Sequence, residues 1–427
     1  MRCVPATGQG WPLDQGEDAA LLSDVAQALQ TGPVRRVGVA VSGGGDSVAL
    51  LHLMVRTCRQ KGIPVSAVTV DHRLRDGAAA EAAMVARLCA SMGVPHETRV
   101  WVHDAIDGNL MDAARRARMT LISDWARANS VSHVALGHTA DDQAETFLMA
   151  LSRASGLDGL VGMRRNWRQD GIEWSRPLLG QSRAGLRAYL RRHVVAWAED
   201  PTNEDPRYER VRARHALATL APLGIDAGKI AHTLNHLGMA NHALDALLRR
   251  AVDAHVVEVA GALRVDRAGF DAFPHELQRR MLVSAIAWLS GNPVPPRSEK
   301  QINLLFAARD GRDATLQGCR LRVKADHLLL VREMRAVVHQ ITPPDQAWDR
   351  RWHLGGPPSP GLTVRALGAG GLRACPDWRA TGLPREVLIV TPAIWHGEAL
   401  VAAPLAGLAR GWGASLSPSY KTFILSH

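Results

Sequence analysis

Residues Arg36 to His52, RVGVAVSGGGDSVALLH, decide how this chain is read. Val37 to Val41 is a run of β-compatible residues that leads straight into Ser42-Gly43-Gly44-Gly45-Asp46-Ser47, and apolar residues at helical spacing resume with Val48, Leu50, Leu51 and Met54. That order is strand, glycine loop, helix. Three glycines without Cβ let the backbone take positive φ and turn its N–H groups toward an anion. Ser42 and Ser47 add hydroxyls, and the helix brings the positive end of its dipole. The loop is expected to hold phosphate. It is neither GxxxxGK[ST], since no lysine stands near Ser42, nor G-x-G-x-x-G, since the spacing differs.

Outward from the loop, strand and helix alternate. VSAVTV (Val65 to Val70) reads as a second strand ending at Asp71-His72, Gly77 to Met92 as a helix and His96 to Val102 as a third strand. Leu110 to Ala128 reads as a long helix and VSHVAL (Val131 to Leu136) as a fourth strand. Such alternation implies an α/β fold with a doubly wound parallel sheet, whose ligands gather at the carboxyl ends of the strands. Ser42 to Ser47, Asp71 to Arg75 and Gly137 to Thr146 all begin where a strand ends. The string from Gly156, GLDGLVGM, is read as loop, Ser182 to His193 as a basic helix, and Arg207, Arg210, Arg212 and Arg214 as lying on another helix. Character changes near Pro222. Three domains are expected: the catalytic sheet over 1–222, a smaller α+β domain over 223–335 and a small β-rich C-terminal module over 336–427, with β-like runs at Leu362 to Leu367 and Glu386 to Val390.

The formal net charge of +10 suits a polyanionic partner. Only five of the 51 basic residues are lysine, which fits guanidinium binding of phosphate and equally an arginine-favouring genome. No apolar run reaches membrane-spanning length and the N-terminus lacks a signal-peptide core, so a cytoplasmic protein without a membrane partner is expected. Cys3, Cys58, Cys89, Cys319 and Cys375 are scattered, without a C-x-x-C pair, and are read as packing residues.

A second cluster, Gly137-His138-Thr139-Ala140-Asp141-Asp142-Gln143-Ala144-Glu145-Thr146, delivers a histidine and two adjacent carboxylates to the same crevice. Paired acids there can bind Mg²⁺ or take a proton, though one of them is expected to cap the helix. Arg115 and Arg118 share a helix face at i, i+3.

SGGGDS resembles the pyrophosphate loop of the N-type ATP pyrophosphatases, the PP-loop or adenine-nucleotide α-hydrolase-like group. Taken with Asp71-His72-Arg73-Leu74-Arg75, Asn109 to Arg118, the Gly137 cluster, the Gly156 string, Arg176-Pro177-Leu178-Leu179 and the Asp200-Pro201-Thr202-Asn203 turn, the chain resembles the bacterial tRNA(Ile)-lysidine synthetase family over about Val37 to Arg214. Met119 and Thr139 depart from the family pattern, and beyond Pro222 the resemblance is weaker. The resemblance implies a ligase that adenylates C2 of the wobble cytidine in the CAU-anticodon isoleucine tRNA and lets free L-lysine displace AMP, with ATP and Mg²⁺ as cofactors. It implies ATP binding by Ser42, Gly43, Gly44, Gly45, Asp46 and Ser47; Mg²⁺ at Asp46, Asp141 and Asp142; catalysis by Asp46, His138, Asp142 and Arg115; and tRNA or substrate contacts from Arg118, Arg207, Arg210 and Arg212. Lysine must lose a proton, at about 4 to 5 kcal/mol from a reference pKa of about 10.4, so a base is useful, Asp142 or His138. A homodimer is left open. The rivals are tRNA thiolation or small-molecule amidation by a related PP-loop enzyme, and an RNA-binding scaffold without catalysis; single cysteines weigh against the first, the basic second domain against the second, and intact Asp46, Asp141 and Asp142 against the third.

Overall fold

Strand β1 (Val37–Ala40) lies between two parallel neighbours, pairing Val37 with Val65 of β2 (Val65–Asp71) on one side and with His133 of β4 (His133–Leu136) on the other. A strand paired on both edges and covered on both faces has no use for alternation, which is why VGVA and HVAL are buried almost throughout. The computed structural model describes residues 16, 18–30, 34–73, 77–102, 110–199, 207–292, 294–357 and 359–426. β3 (His96–Val100), β5 (Asn166–Gln169) and β6 (Ile172–Ser175) complete a six-stranded sheet of order β3-β2-β1-β4-β6-β5, parallel except at β5.

The helices of this part are α1 (Ala19–Ala28), α2 (Gly45–Gln60), α3 (Ala78–Ser91), α4 (Leu110–Ala128), α5 (Ala140–Leu151), the short α6 (Leu157–Leu160), α7 (Arg183–Arg192) and α8 (Glu209–Leu220). Strand order runs one way from β1 to β3 and the other way from β4, so the crevice opens at the carboxyl ends of β1 and β4. Two details differ from the sequence reading. A helical turn, α6, stands within the string read as loop, and the antiparallel hairpin β5–β6, joined at Asp170-Gly171, was not foreseen.

α2 is the spine of this half. Val48, Leu50, Leu51, Leu53 and Met54 are all fully buried, packed with Val25 of α1 and with Leu186, Tyr189 and Leu190 of α7. On a second core, Ile122 and Trp125 of α4 meet Val134 and Trp174. Between α1, α2 and α7 the carboxylate of Asp18 accepts from Arg56 Nη1 at 2.8 Å, Arg192 Nη2 at 2.7 Å and His193 Nε2 at 2.6 Å. Burial alone would raise the pKa of Asp18; those donors hold it down at about 2. The effect is to lock together two helices whose N-termini both enter the crevice.

The chain divides into two compact units, 1–239 and 240–427. The division falls inside α9 (Ala227–His255), beyond the change of character near Pro222. The second unit holds a five-stranded sheet of order β7-β8-β11-β10-β9, formed by Val256–Val259, Ala262–Asp266, Ala314–Leu316, Cys319–Val323 and His327–Arg332 taken in chain order. Helices His275–Ser290 and Ser298–Arg309 cover it, with Met281, Ile286 and Leu289 against Leu321 and Leu330. Further on, Leu362–Ala366, Pro392–His396 and Ala399–Ala402 make a three-stranded sheet. Glu386 to Val390 is not the β run expected: Arg385–Leu388 is a helical turn after Pro384 that buries Val387 and Leu388, and the strand starts at Pro392. Among the described residues no helix is long and apolar enough to cross a membrane. Cys58, Cys89, Cys319 and Cys375 are buried and free, and burial lifts the Cys58 and Cys89 thiols to about 11, as packing residues should be.

Candidate active site

α2 begins inside the glycine loop. Gly44 is its extended N-cap, and the first intrahelical bond runs from Val48 N to Gly44 O at 3.1 Å, so Asp46 and Ser47 lie in the turn ahead of it, at the positive end of the helix. Of the three glycines only Gly43 uses the positive φ they permit, at +93°. Ser47 Oγ braces the loop: it accepts from Ser42 N at 3.1 Å, donates to Gly44 O at 2.9 Å and lies 3.2 Å from Ser42 Oγ. The segment after α7 is stitched to the same loop, with Ala198 N donating to Gly43 O at 2.9 Å and the Trp197 ring lying against Gly45.

Gly137 sets how closely the second cluster approaches. A Cβ there would stand 2.9 Å from Ser47 Cα and 3.0 Å from Ser47 N, both backbone atoms that cannot swing aside, so only glycine lets the end of β4 sit on the first turn of α2. Thr139 then caps α5. Its Oγ1 accepts from Asp142 N at 3.3 Å while Asp142 Oδ2 accepts from Thr139 N at 2.8 Å, a reciprocal capping pair. Asp141 Oδ2 accepts from Arg183 N at 2.7 Å and so caps α7 instead. Each of the adjacent aspartates serves a different helix.

Arg183, which the sequence reading passed over, is the hub. Its Nε donates to Asp46 Oδ2 at 3.2 Å, its Nη2 to Asp142 Oδ1 at 3.1 Å and its Nη1 to Glu145 Oε1 at 3.3 Å, and Arg214 Nε meets the same Glu145 oxygen at 3.0 Å. Burial works against the Arg183 charge, yet Asp142, Glu145 and Asp46 hold its pKa well above the ordinary value. Asp46 is pushed up by burial and by Asp142 and Asp141, with Arg183 opposing. One signal was available: an arginine at the first position of α7 faces that helix's own positive end, and only facing carboxylates make the placement favourable.

Across the crevice the charges are of one sign. His138, just beyond β4, accepts at Nδ1 from Arg176 Nε at 3.1 Å. Burial and the neighbouring Arg115 and Arg118 bring Arg176 down to about 10, and burial with Arg115 and Arg210 lowers Arg118, whose Nε is buried without a partner among the described residues. His138 falls to about 3, through burial, Arg176, Arg118 and Arg210, with Asp142 pulling the other way. Four guanidiniums from α4, α8 and the end of β6 thus act on one place, which an anion would relieve. The structure brings Arg115, Arg118 and Arg210 together there; Arg212 is on α8, and Arg207, expected on the same helix, is exposed in the turn before it, its carbonyl accepting from Arg212 Nη1 at 3.1 Å. Leu74, Arg75, Asn109 and Asp200 to Asn203 lie outside the described residues.

Among the described residues no group of three or more His, Cys, Asp or Glu side chains is arranged to hold a metal ion. Asp46 nevertheless presents Oδ1, buried and without a partner among the described residues, beside the loop. One or two carboxylates completed by substrate phosphates is a normal setting for Mg²⁺, so Asp46 fits. Asp142 has both oxygens engaged, and Asp141 has Oδ2 engaged as a cap.

Residues 18–221 match the family model described as PP-loop domain. A tRNA(Ile)-lysidine synthase of Ruegeria pomeroyi is 46% identical over 410 residues, covering 95% of this chain and 98% of the relative. One from Wolbachia pipientis wMel is 33% identical, covering 74% of this chain and 76% of the relative. Among solved structures, the U34-tRNA thiolase NcsA from Methanococcus maripaludis with its [4Fe-4S] cluster superposes with a TM-score of 0.45 at 14% identity, covering 56% of this chain and 89% of that one. On the strength of the near-full-length relative and the PP-loop match, this chain belongs to the tRNA(Ile)-lysidine synthase family.

Proposed function

We propose that this chain uses ATP to attach free lysine to C2 of the wobble cytidine of tRNA(Ile) bearing a CAU anticodon, giving lysidine, AMP and pyrophosphate. The observation that carries the reading, beyond family membership, is the division of one crevice into a helix N-terminus with Asp46 on one side and an unbalanced arginine group around His138 on the other. ATP is held with its phosphates on the amides of the Ser42 to Ser47 loop. The C2 oxygen of cytidine attacks the α-phosphorus, the bond from that phosphorus to the bridging oxygen breaks, and pyrophosphate leaves. Arg115, Arg118 and Arg210 face the α-phosphate and the RNA strand, where fixed positive charge is worth most because it is already oriented.

Mg²⁺ would be held by Asp46 through Oδ1 and would neutralise charge on the departing pyrophosphate. In the second step the lysine amine attacks C2, the C2–O bond breaks and AMP departs. The carboxylates gathered by Arg183 are the place for the lysine ammonium group, and Asp142 is the proposed acceptor of its proton. The cytidine must leave the anticodon stack first, which single-stranded loops permit. Arg207, exposed just before α8, and Arg212, exposed on it, would follow the RNA backbone. Thiolation draws no support from the four described cysteines, each buried singly.

Purified protein given ATP, Mg²⁺, labelled lysine and the CAU-anticodon tRNA should place label in RNA, and Asp46→Ala should abolish it. Equal incorporation into any tRNA would remove the specificity, and incorporation of other amino acids as readily as lysine would remove the assignment of the nucleophile. Affinity for tRNA should also fall steeply with salt, and a flat response would count against phosphate contacts by Arg207 and Arg212.

A further inference from the structure

Arg176 is buried, only 7% exposed, yet among the described residues its side chain bonds to neutral acceptors: Nη1 to the Arg164 carbonyl at 2.7 Å and Nε to His138 Nδ1 at 3.1 Å. What supports the cation instead is the Trp167 ring, 4.1 Å from the guanidinium carbon. Trp167 is itself fixed. It pairs across the β5–β6 hairpin with the fully buried Trp174, the two rings stacked at 5.7 Å and 13°. Arg176 follows β6 directly, and its N–H donates to the Arg165 carbonyl at 2.8 Å, extending the hairpin's ladder. The hairpin appended to the parallel sheet therefore presents one guanidinium to one histidine.

A guanidinium Nε–H can only donate, so His138 Nδ1 must offer a lone pair, and the single proton of the neutral ring is on Nε2. We propose that Trp167 is a positioning residue of the reaction: by seating Arg176 it holds His138 in the Nε2–H tautomer, so that this histidine donates a hydrogen bond to an anion in the arginine group and is not the base. That the anion is a reacting phosphate rests on the function proposed above. The tautomer does not.

The test is long-range ¹H–¹⁵N correlation on protein labelled with ¹⁵N-histidine, with His138 assigned by its loss in His138→Asn. Wild type and Trp167→Phe, which keeps an aromatic face, should show one pyridine-like Nδ1 and one pyrrole-like Nε2. Trp167→Leu and Arg176→Lys should move both signals toward the average of two exchanging tautomers. With lysine and tRNA, Trp167→Leu should lower kcat about tenfold at unchanged KM for ATP, and Trp167→Phe should recover most of it. An Nδ1–H tautomer in wild type overturns the proposal. So does a tautomer unmoved in both Trp167→Leu and Arg176→Lys, since Trp167 would then only pack the sheet edge. These spectra need no turnover, so a wild type inactive on lysine and tRNA would strike the proposed function and leave the tautomer result standing.

Discussion

Two regions of the same crevice solve opposite electrostatic problems. Around Arg183, one buried cation is shared by Asp46, Asp142 and Glu145, and each charge has a partner within 3.3 Å. Around His138, burial lowers the proton affinity of Arg118, Arg176 and the histidine itself, and the positive charges of Arg115, Arg118, Arg176 and Arg210 add to it. The first region is held together in the free protein and fixes the geometry of Asp46, whose Oδ1 is left for the metal. The second becomes balanced only when an anion arrives, so its cost in the free protein is returned as binding. Mutations should therefore act with opposite sign in the two.

The largest effect belongs to Arg183→Met. Removing the hub leaves Asp46, Asp142 and Glu145 as neighbouring carboxylates, two of them buried, and breaking such a group costs about 3 to 5 kcal/mol. Urea unfolding should show that loss, and pyrophosphate release from ATP in the presence of tRNA should vanish with it. A variant as stable as wild type would mean that the carboxylates are already protonated or solvated and that the region is not balanced in the sense argued.

How far the sequence discloses this division depends on the range of the contacts. The loop from Ser42 to Ser47 is legible because strand, glycines and helix punctuate one short stretch, and the two-sided burial of β1 and β4 shows in their unbroken apolar runs. Arg115 and Arg118 are legible as one helix face. Arg183 is not: it reaches Asp46 across 137 positions, and within its own helix it is one more arginine among several. The β5–β6 hairpin left a trace in Asp170-Gly171 between Trp167 and Trp174, a two-residue turn between alternating residues, but it is short and lies between a glycine-rich string and Pro177. At Arg385–Leu388 the short apolar run was consistent with either helix or strand, and Pro384 before it favoured a helical start.

Acid should act on the two regions unequally, which gives the next prediction. His138 is held neutral with a pKa of about 3, while outside the crevice burial brings His133 to about 4, and burial with His193 and Arg56 brings His52 to about 4. An unfolded histidine takes its proton near 6.5, so between that value and about 4 the unfolded chain binds more protons and stability falls as pH falls. Each buried histidine contributes at most about 1.4 kcal/mol per pH unit. Asp46, with its carboxyl raised, offsets part of this at the acid end, and Asp18 adds its own loss only as pH drops from about 3.8 toward 2. Unfolding measured from pH 7 to 4 should therefore be less steep in His138→Asn than in wild type. Equal slopes would show that burial and the arginine neighbours do not keep His138 neutral.

The smallest effect has the unusual sign. Arg118→Met keeps an unbranched side chain on α4 while deleting a guanidinium whose charge is opposed by burial, Arg115 and Arg210. The free protein should gain stability, by about 1 kcal/mol, because repulsion is relieved and, among the described residues, no carboxylate is left behind. Wild type should rise in Tm when pyrophosphate or sulfate is added, since either anion supplies the missing counter-charge, and the variant should rise less. Activity with tRNA should nevertheless fall in the variant, because the relieved charge is the one needed when the anion is present. If Arg118→Met instead destabilises the free protein as Arg183→Met does, the arginines have partners of their own, and the contrast between a region held together by its own ion pairs and one that waits for an anion is wrong.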